Sequence, residues 1–561
     1  MAQRLSSLVW ICASTRENSE VYVVDANNPA DILDTFHVCP AHLLCIASVP
    51  GAKETDYPVD EEFSKLGLEE TIDASKQEAK APDNQGGAKD QDGNPKVGKL
   101  FLVKSAPPPP SSRPSSPPKE TLEELEGGGS KPAVSADQES VASGSSQGSS
   151  SKERGGPRRP WVLLKEGAPP DIVKDGISEL PTDNHLAYDQ LEKMSSVLPT
   201  MWLGCQNGII YMHSSVAQWR VCIDSVKLCD SVLSIVHVKG RVFAALADGT
   251  VAIFHRKQDG QWDLRNYHLL DLGKPHHSIR CMTVAHTKVW CGYRNRIHVV
   301  HPKTLTVEHS FDAHPRKESQ IRQMAWVGDG VWVTIRLDST LRLYNVHTYQ
   351  HLQDIDIEPY VSKMLGTGKL GFSFVRITAL LISCNRLWMG TGNGVIISVP
   401  LSERHKQSAA TTPSASGGAR MPGSVVRVYS DSRENITTGS FVPYCSMAQA
   451  QLSFHGHRDS VKFFVAVPGT GGMIASDMKG TGDEKTGNIA LGSEDASPKC
   501  MLVLSGGEGY IDFRVGDGED EDSSGDRISA SVGASAEKKL HQGVAKGERS
   551  HLIVWEVALN E

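Results

Sequence analysis

An all-β ring of seven radially arranged blades is the fold class this sequence predicts, and three observations predict it. A phrase made of an apolar strand carrying Trp or Phe, a tight turn on Gly, Asn or Asp, and an alternating second strand occurs five times. Two of the gaps between copies, Trp202 to Phe243 and Trp290 to Trp332, are about 41 and 42 residues, which is the period of a four-stranded propeller blade. Helical periodicity is nearly absent between the copies.

Taken in chain order, Leu8 to Ala13, Val21 to Asp25 and Ile32 to Val38 predict a first blade around Trp10. It lacks an innermost strand, which either residues upstream of Met1 or the C-terminus would supply. His42 to Val49 predicts the inner strand of a second blade, whose partner Met201-Trp202-Leu203-Gly204 arrives only after a long insertion. Feeding strands then precede each repeat: Val232 to Val238 before Phe243, Ile279 to Val284 before Trp290, Ile321 to Val327 before Trp332, and Phe374 to Ser383 before Trp388. Outer strands at His351 to Ile357 and Val425 to Tyr429 complete blades. Val461 to Val467, Met501 to Gly506, Tyr510 to Arg514 and Leu552 to Val557 predict a last blade. Units around Trp10, Trp202, Phe243, Trp290, Trp332, Trp388 and Met501 give seven, and joining the chain ends removes the exposed sheet edges that invite aggregation.

The rest of the chain reads as insertions. Residues 1–51 hold the first blade and the inner strand of the second, and 52–183 are expected to be a disordered insertion, because its Ser, Gly, Pro, Glu and Lys sequence cannot bury enough apolar surface to offset chain entropy. Asn184 to Val197, with Leu186, Leu191 and Met194, predicts a short rim helix. Blades fill 184–401, 424–468 and 500–515, separated by disordered loops at 402–423 and 469–499; an acidic disordered loop at 516–549 precedes a closing strand at 550–561. Such loops are tolerated because closure costs only about 0.6 kcal/mol per doubling of length.

Composition narrows the function. The formal charge of −8 provides no global positive field, which argues against nucleic acid as partner. No apolar run reaches the length of a bilayer-spanning helix, and the N-terminus lacks a secretory signal, so a cytoplasmic protein without membrane insertion is expected. The eleven cysteines are scattered with no Cys-x-x-Cys pair, which fits buried reduced thiols better than disulfides. The sequon Asn435-Ile436-Thr437 would carry no glycan in that compartment.

Catalytic and ligand motifs fail on their context. Gly144-Ser145-Ser146-Gln147-Gly148 fits a nucleophile elbow but sits in low-complexity sequence. Gly366-Thr367-Gly368-Lys369-Leu370-Gly371 fits a dinucleotide fingerprint but precedes a predicted strand, where phosphate binding requires a helix N-terminus. His276-His277 and His455-Gly456-His457 lack companion ligands at metal spacing. Gly456-His457 and Ala313-His314 instead precede inner strands, where WD-type repeats use a histidine to hydrogen-bond across strands; the ring is accordingly read as WD40-like. No catalytic residue, cofactor or metal is predicted.

Two kinds of residue remain. Trp10, Trp202, Trp290, Trp332 and Trp388 are assigned to sheet-to-sheet cores, the competing reading being exposed aromatic anchors on a peptide groove. In Arg113-Pro114-Ser115-Ser116-Pro117-Pro118-Lys119, Ser116 precedes proline among basic neighbours and is a candidate phosphosite for a proline-directed kinase. Pro107 to Pro110 is a weak polyproline motif, and Glu519-Asp520-Glu521-Asp522 reads as a solvated acidic loop.

Val9-Trp10-Ile11-Cys12, Leu44 to Ala52, Ala247-Asp248-Gly249-Thr250, His276 to Cys281, Phe311 to Arg316, Pro359 to Val375 and Gly506 to Arg514 resemble the C-terminal region of the JNK-interacting protein 3/4 family. The acidic Gly516 to Asp522 stretch leans towards its protein 3 branch. The resemblance implies a cytoplasmic scaffold that gathers JNK-cascade kinases and links vesicles to kinesin-1 and dynein/dynactin, with vesicle-associated, perinuclear and axonal localisation. It also implies that sites for kinesin, small GTPases and JNK lie in a coiled-coil-rich part. No sustained heptad pattern exists in this sequence, so the chain is expected to be a C-terminal fragment or short isoform. The functional expectation is a non-catalytic protein-interaction propeller. A propeller enzyme with a central-channel active site is the alternative, and it would require inward carboxylates or histidines converging at one end.

Overall fold

The computed structural model describes residues 6–57, 70–73, 97–104, 194–273, 276–365, 375–402, 427–428, 441–470, 500–513 and 550–559. They form a seven-bladed β-propeller. Blade 1 contains Leu8–Ser14, Ser19–Asp25 and Asn28–Cys39; blade 2 contains Leu43–Val49, Thr200–Cys205, Ile209–Ser214 and Cys222–Lys227. Blade 3 runs Val232–Val238, Arg241–Leu246, Thr250–Arg256 and Trp262–Asp271, and blade 4 runs Ile279–Ala285, Lys288–Tyr293, Arg296–Val300 and Val307–Asp312. Blade 5 runs Ile321–Val327, Gly330–Ile335, Thr340–Asn345 and His351–Asp356. Blade 6 runs Ile377–Ser383, Arg386–Thr391 and Ile396–Ser402 with short outer pieces, and blade 7 runs Val461–Gly469, Cys500–Glu508 and Ser550–Ala558.

The recurring Trp phrase is the second strand of a blade, and burial explains its composition. This strand is covered by the neighbouring blade on each side, so it reads as a continuous apolar run where a half-exposed strand would alternate. Every residue of Arg241–Leu246 and Gly330–Ile335 is buried. The Gly after Trp-Leu, Trp-Cys and Trp-Met has a packing cause: a Cβ at Gly204, Gly292 or Gly390 would come within 2.5–3.0 Å of Val232, Ile321 or Val461, the first residue of the next blade's innermost strand.

Seven apolar seams close the ring. Seam 1/2 is built on Val21, Phe36 and Leu203, 2/3 on Trp202, Phe254 and Trp262, and 3/4 on Phe243, Ile279 and Val289. Seam 4/5 uses Trp290, Val331 and Ile335, 5/6 Trp332, Leu387 and Met389, and 6/7 Trp388, Val461 and Val503. Seam 7/1 joins Cys500, Leu502 and Leu504 to Val9, Val24 and Ala26. Innermost strands of blades 2 to 7 flank one another, whereas Leu8–Ser14 meets Leu43–Val49 only as second strands do elsewhere. Among the described residues, blade 1 therefore has no innermost strand.

Three details differ from the sequence expectation. Within the 52–183 stretch, Lys99–Lys104 pairs antiparallel with Trp262–Asp271 and Glu70–Asp73 pairs parallel with it, extending blade 3 outwards. Leu100-Phe101-Leu102-Val103 supplies the apolar run, with Leu100 and Val103 buried. Arg427–Val428 joins blade 5, and the outer pairing of blade 6 comes from Tyr444–Cys445 and Gln451–Leu452. Finally, Ile511–Asp512 pairs with His455–Gly456 outside the main sheet of blade 7. The expected rim helix at 184–197 falls largely outside the described residues, as do Ser116, Gly144 to Gly148, Gly366 to Gly371, Asn435 and the 516–549 loop. A helix, Glu358–Leu365, links blades 5 and 6. No helix of the described residues is long and apolar enough to cross a membrane.

Candidate functional site

The predicted tryptophans sit in seams and do not converge. Trp202, Trp290 and Trp332 have no exposed surface and Trp388 almost none, while Trp10 is half-buried against Phe36 at an edge-on 5.3 Å. Trp332 Nε1 donates to Pro443 O at 3.1 Å and Trp202 Nε1 to Thr200 Oγ1 at 3.0 Å. The histidines have structural partners: His457 Nε2 lies 2.8 Å from Ser505 Oγ, and His314 Nδ1 accepts from the Arg316 N–H at 3.0 Å. No group of three metal-binding side chains exists among the described residues. Cys39, Cys205, Cys281, Cys291, Cys445 and Cys500 are buried free thiols, but Cys222 and Cys229 are exposed.

What does converge is a set of side chains that the sequence reading did not single out. Each innermost strand of blades 2 to 7 carries a β-bulge against its second strand, between Leu43 and Cys45, Val232 and Ser234, Ile279 and Cys281, Ile321 and Gln323, Ile377 and Ala379, and Val461 and Phe463. A bulge inserts one residue that has no partner and re-aims its side chain. The six inserted residues are Leu44, Leu233, Arg280, Arg322, Thr378 and Lys462.

Five of them line a central cavity of about 380 Å³, together with Cys45, Ile46, Ser234, Ile235, Cys281, Met282, Gln323 and Met324. Blades 2 and 3 give the wall an apolar arc, Leu44 and Leu233, and blades 4, 5 and 7 a cationic one, Arg280, Arg322 and Lys462. Side chains next to the bulges tie the innermost strands together. Cys45 Sγ donates to Val232 O at 3.5 Å, Ser234 Oγ accepts from Met282 N at 3.2 Å, and Gln323 Nε2 donates to Thr378 O at 3.3 Å. Thr378 Oγ1, which donates to Val461 O at 2.7 Å, is thereby committed to the wall.

The cationic arc continues onto the rim. Arg336 follows the second strand of blade 5 and Arg376 precedes the innermost strand of blade 6, at the same end of the ring as Arg280 and Arg322. Burial in the channel, then the charges of Arg280, Arg336 and Arg376, hold the Arg322 guanidinium below its ordinary pKa, although part of the side chain remains open to water. Two carboxylates in the adjoining loops are engaged elsewhere, Asp338 with Arg342 at 3.1 Å and Glu318 with Arg294 at 2.7 Å. Lys462 is the exception, lying 3.5 Å from Glu508 and 3.8 Å from Asp459. The available signal in the sequence is an arginine after Ile at the start of two successive innermost strands, Ile279-Arg280 and Ile321-Arg322.

Comparison with known proteins agrees with this architecture. The family description "WD40 repeated domain" matches residues 175–405. "C-Jun-amino-terminal kinase-interacting protein 4" of Mus musculus is 54% identical over 99% of this chain and 43% of that protein. "C-Jun-amino-terminal kinase-interacting protein 3" of Mus musculus is 48% identical over 99% of this chain and 42% of that protein. "JNK-interacting protein 3" of Drosophila melanogaster is 45% identical over 99% and 41%. The chain thus spans about two fifths of the length of these relatives, and the acidic stretch that leans towards protein 3 lies outside the described residues.

Proposed function

Because the chain belongs to the JNK-interacting protein 3/4 family, matching 43% of the length of its mouse protein 4 relative, we propose that its propeller is a non-catalytic protein-interaction module of a cytoplasmic scaffold. In this reading the longer protein organises JNK MAP-kinase signalling and links vesicles to kinesin-1 and dynein/dynactin, with small GTPases as further partners, on vesicles, near the nucleus and in axons. The propeller supplies a docking platform, while the kinase and motor sites belong to sequence outside this chain. The single observation that carries the reading is the alignment of 99% of the chain with relatives named for interaction with JNK.

The geometry supports it in two ways. Seven apolar seams make a stiff ring that presents loops and strand edges without rearrangement, which suits a platform. Among the described residues the cavity is lined by Leu, Ile, Met, Cys, Ser, Gln, Arg and Lys, without the carboxylates and histidines that proton-transfer chemistry would draw on.

Crosslinking mass spectrometry of the chain with reconstituted JNK-cascade kinases, kinesin-1 and dynein/dynactin tests the proposal. Crosslinks from blade loops to one of these assemblies, retained after deletion of 108–186, are expected. The deletion leaves Lys99–Lys104 in place because that strand belongs to blade 3. Turnover of a substrate in a broad hydrolase screen, lost on substitution of channel residues, would instead establish the propeller enzyme.

A further inference from the structure

The cationic arc has no structural task that accounts for it. Among the described residues, Arg280, Arg322, Arg336 and Arg376 make no side-chain hydrogen bond or ion pair, yet Arg322 feels the charge of the other three. Like charges held together without counter-charges are unfavourable in the folded chain, and such departures from self-consistency concentrate at functional sites. The guanidinium is also the side chain best matched to phosphate, presenting a fixed fork of donors that can bind two oxygens at once.

We propose that the Arg280, Arg322, Arg336 and Arg376 end of the central channel binds a compact anion carrying several phosphate groups. The site goes beyond the protein-docking reading and does not depend on it. Three features fix the ligand class. The cavity, at about 380 Å³, falls within the range of small-molecule sites and is walled by strands that hydrogen bonds hold in place. Four guanidiniums call for an anion of matching charge; one phosphorylated side chain brings about two negative charges and would leave half of them unmatched. The chain as a whole is acidic at −8, so an anion is drawn to this arc and not to the surface at large. Leu44 and Leu233, on the adjoining arc of the same cavity wall, give the ligand's carbon framework an apolar surface to rest on. A soluble polyphosphate and a lipid headgroup share this chemistry.

Isothermal titration of the full chain with inositol hexakisphosphate at physiological salt, alongside sedimentation with vesicles containing phosphatidylinositol bisphosphate, tests the site and separates the two sources. Saturable binding to either probe is expected, weakened at least tenfold by Arg280→Gln combined with Arg322→Gln. Arg294→Gln removes a charge on the same face that Glu318 already neutralises, and should change affinity less than twofold. Circular dichroism checks folding; if the channel pair does not fold, Arg336→Gln with Arg376→Gln, both on the exposed rim, should still weaken binding at least threefold. The proposal fails if neither probe binds, if the arginine pairs bind like the parent chain, or if Arg294→Gln weakens binding as much as they do. Tighter capture of a singly phosphorylated peptide than of the hexakisphosphate would also overturn it.

Discussion

Seams 5/6 and 7/1 join adjacent blades of one ring with different materials. Seam 5/6 packs Trp332 among long aliphatic side chains and Met447, and anchors its indole to Pro443 O. Seam 7/1, where the chain closes on itself, has no aromatic among its described members and depends on Val9, Val24, Ala26, Val467, Cys500, Leu502 and Leu504. Blades 1 and 7 also have three strands each in their main sheets, where blades 2 to 5 have at least four. Interior seams are set between covalently consecutive blades, whereas the closing seam must be made by segments hundreds of residues apart, and the loop-closure entropy falls on it. Closure is therefore the joint where local opening should begin.

The comparison can be broken most forcefully at its strong side. Trp332→Ala removes a fully buried indole and its hydrogen bond and should cost about 3–5 kcal/mol in urea unfolding, while half-buried Trp10→Ala should cost clearly less. Equal losses would remove the distinction between buried and rim tryptophans. At the closing seam, Leu502→Ala should cost about 2–3 kcal/mol, because a joint between two short blades can partly collapse around the cavity. It should also speed hydrogen exchange selectively in Leu8–Ser14 and Ser550–Ala558; uniform acceleration around the ring would contradict a weak joint.

Acid should act on the other side of the ring. Burial first, then the neighbouring charge of Arg296, pushes His298 in blade 4 down to about 4, and its Nδ1 is 2.7 Å from Ser310 Oγ. The folded-state pKa lies below the ordinary value of 6.5, so the unfolded chain takes up the proton first. The stabilisation is complete above about pH 6.5 and is lost as pH falls towards about 4, amounting to about 2 kcal/mol by pH 5. Stability measured against pH should slope less in that window for His298→Gln than for the parent chain; identical slopes would mean that the histidine is not held neutral. The smallest effect belongs to the loop contact between blades 7 and 1. Asn27→Ala removes the acceptor of Thr470 N–H at 2.9 Å and should cost about 0.5–1.5 kcal/mol. A larger loss would show that closure depends on this contact more than on the apolar seam.

The two kinds of strand also differ in how plainly the sequence announces them. Second strands such as Val331-Trp332-Val333 are buried on both faces, so their continuous apolar runs, Gly positions and following turns mark them out at blade period. Innermost strands are interrupted by the bulge, which breaks period-two alternation next to the channel, so nothing in the local pattern marks Arg280 and Arg322 as channel-lining residues. Outer strands vary most. Tyr444–Cys445 and Gln451–Leu452 are too short to show any period, and Lys99–Lys104 lies amid low-complexity sequence that masks four consecutive apolar residues. Burial from two sides writes a strong pattern, and pairing at an outer edge writes almost none.

Head-to-tail closure is the claim on which the seven-bladed ring rests, and the chain carries its own probe of it. Cys500 is buried in the 7/1 seam, whereas Cys222 is exposed on blade 2. Thiol alkylation read by mass spectrometry, with each rate divided by that of the same cysteine in the urea-unfolded chain, compares them directly. Protection of Cys500 at least a hundredfold beyond that of Cys222 is the result a closed ring predicts. Equal protection of the two would mean that blades 7 and 1 do not meet.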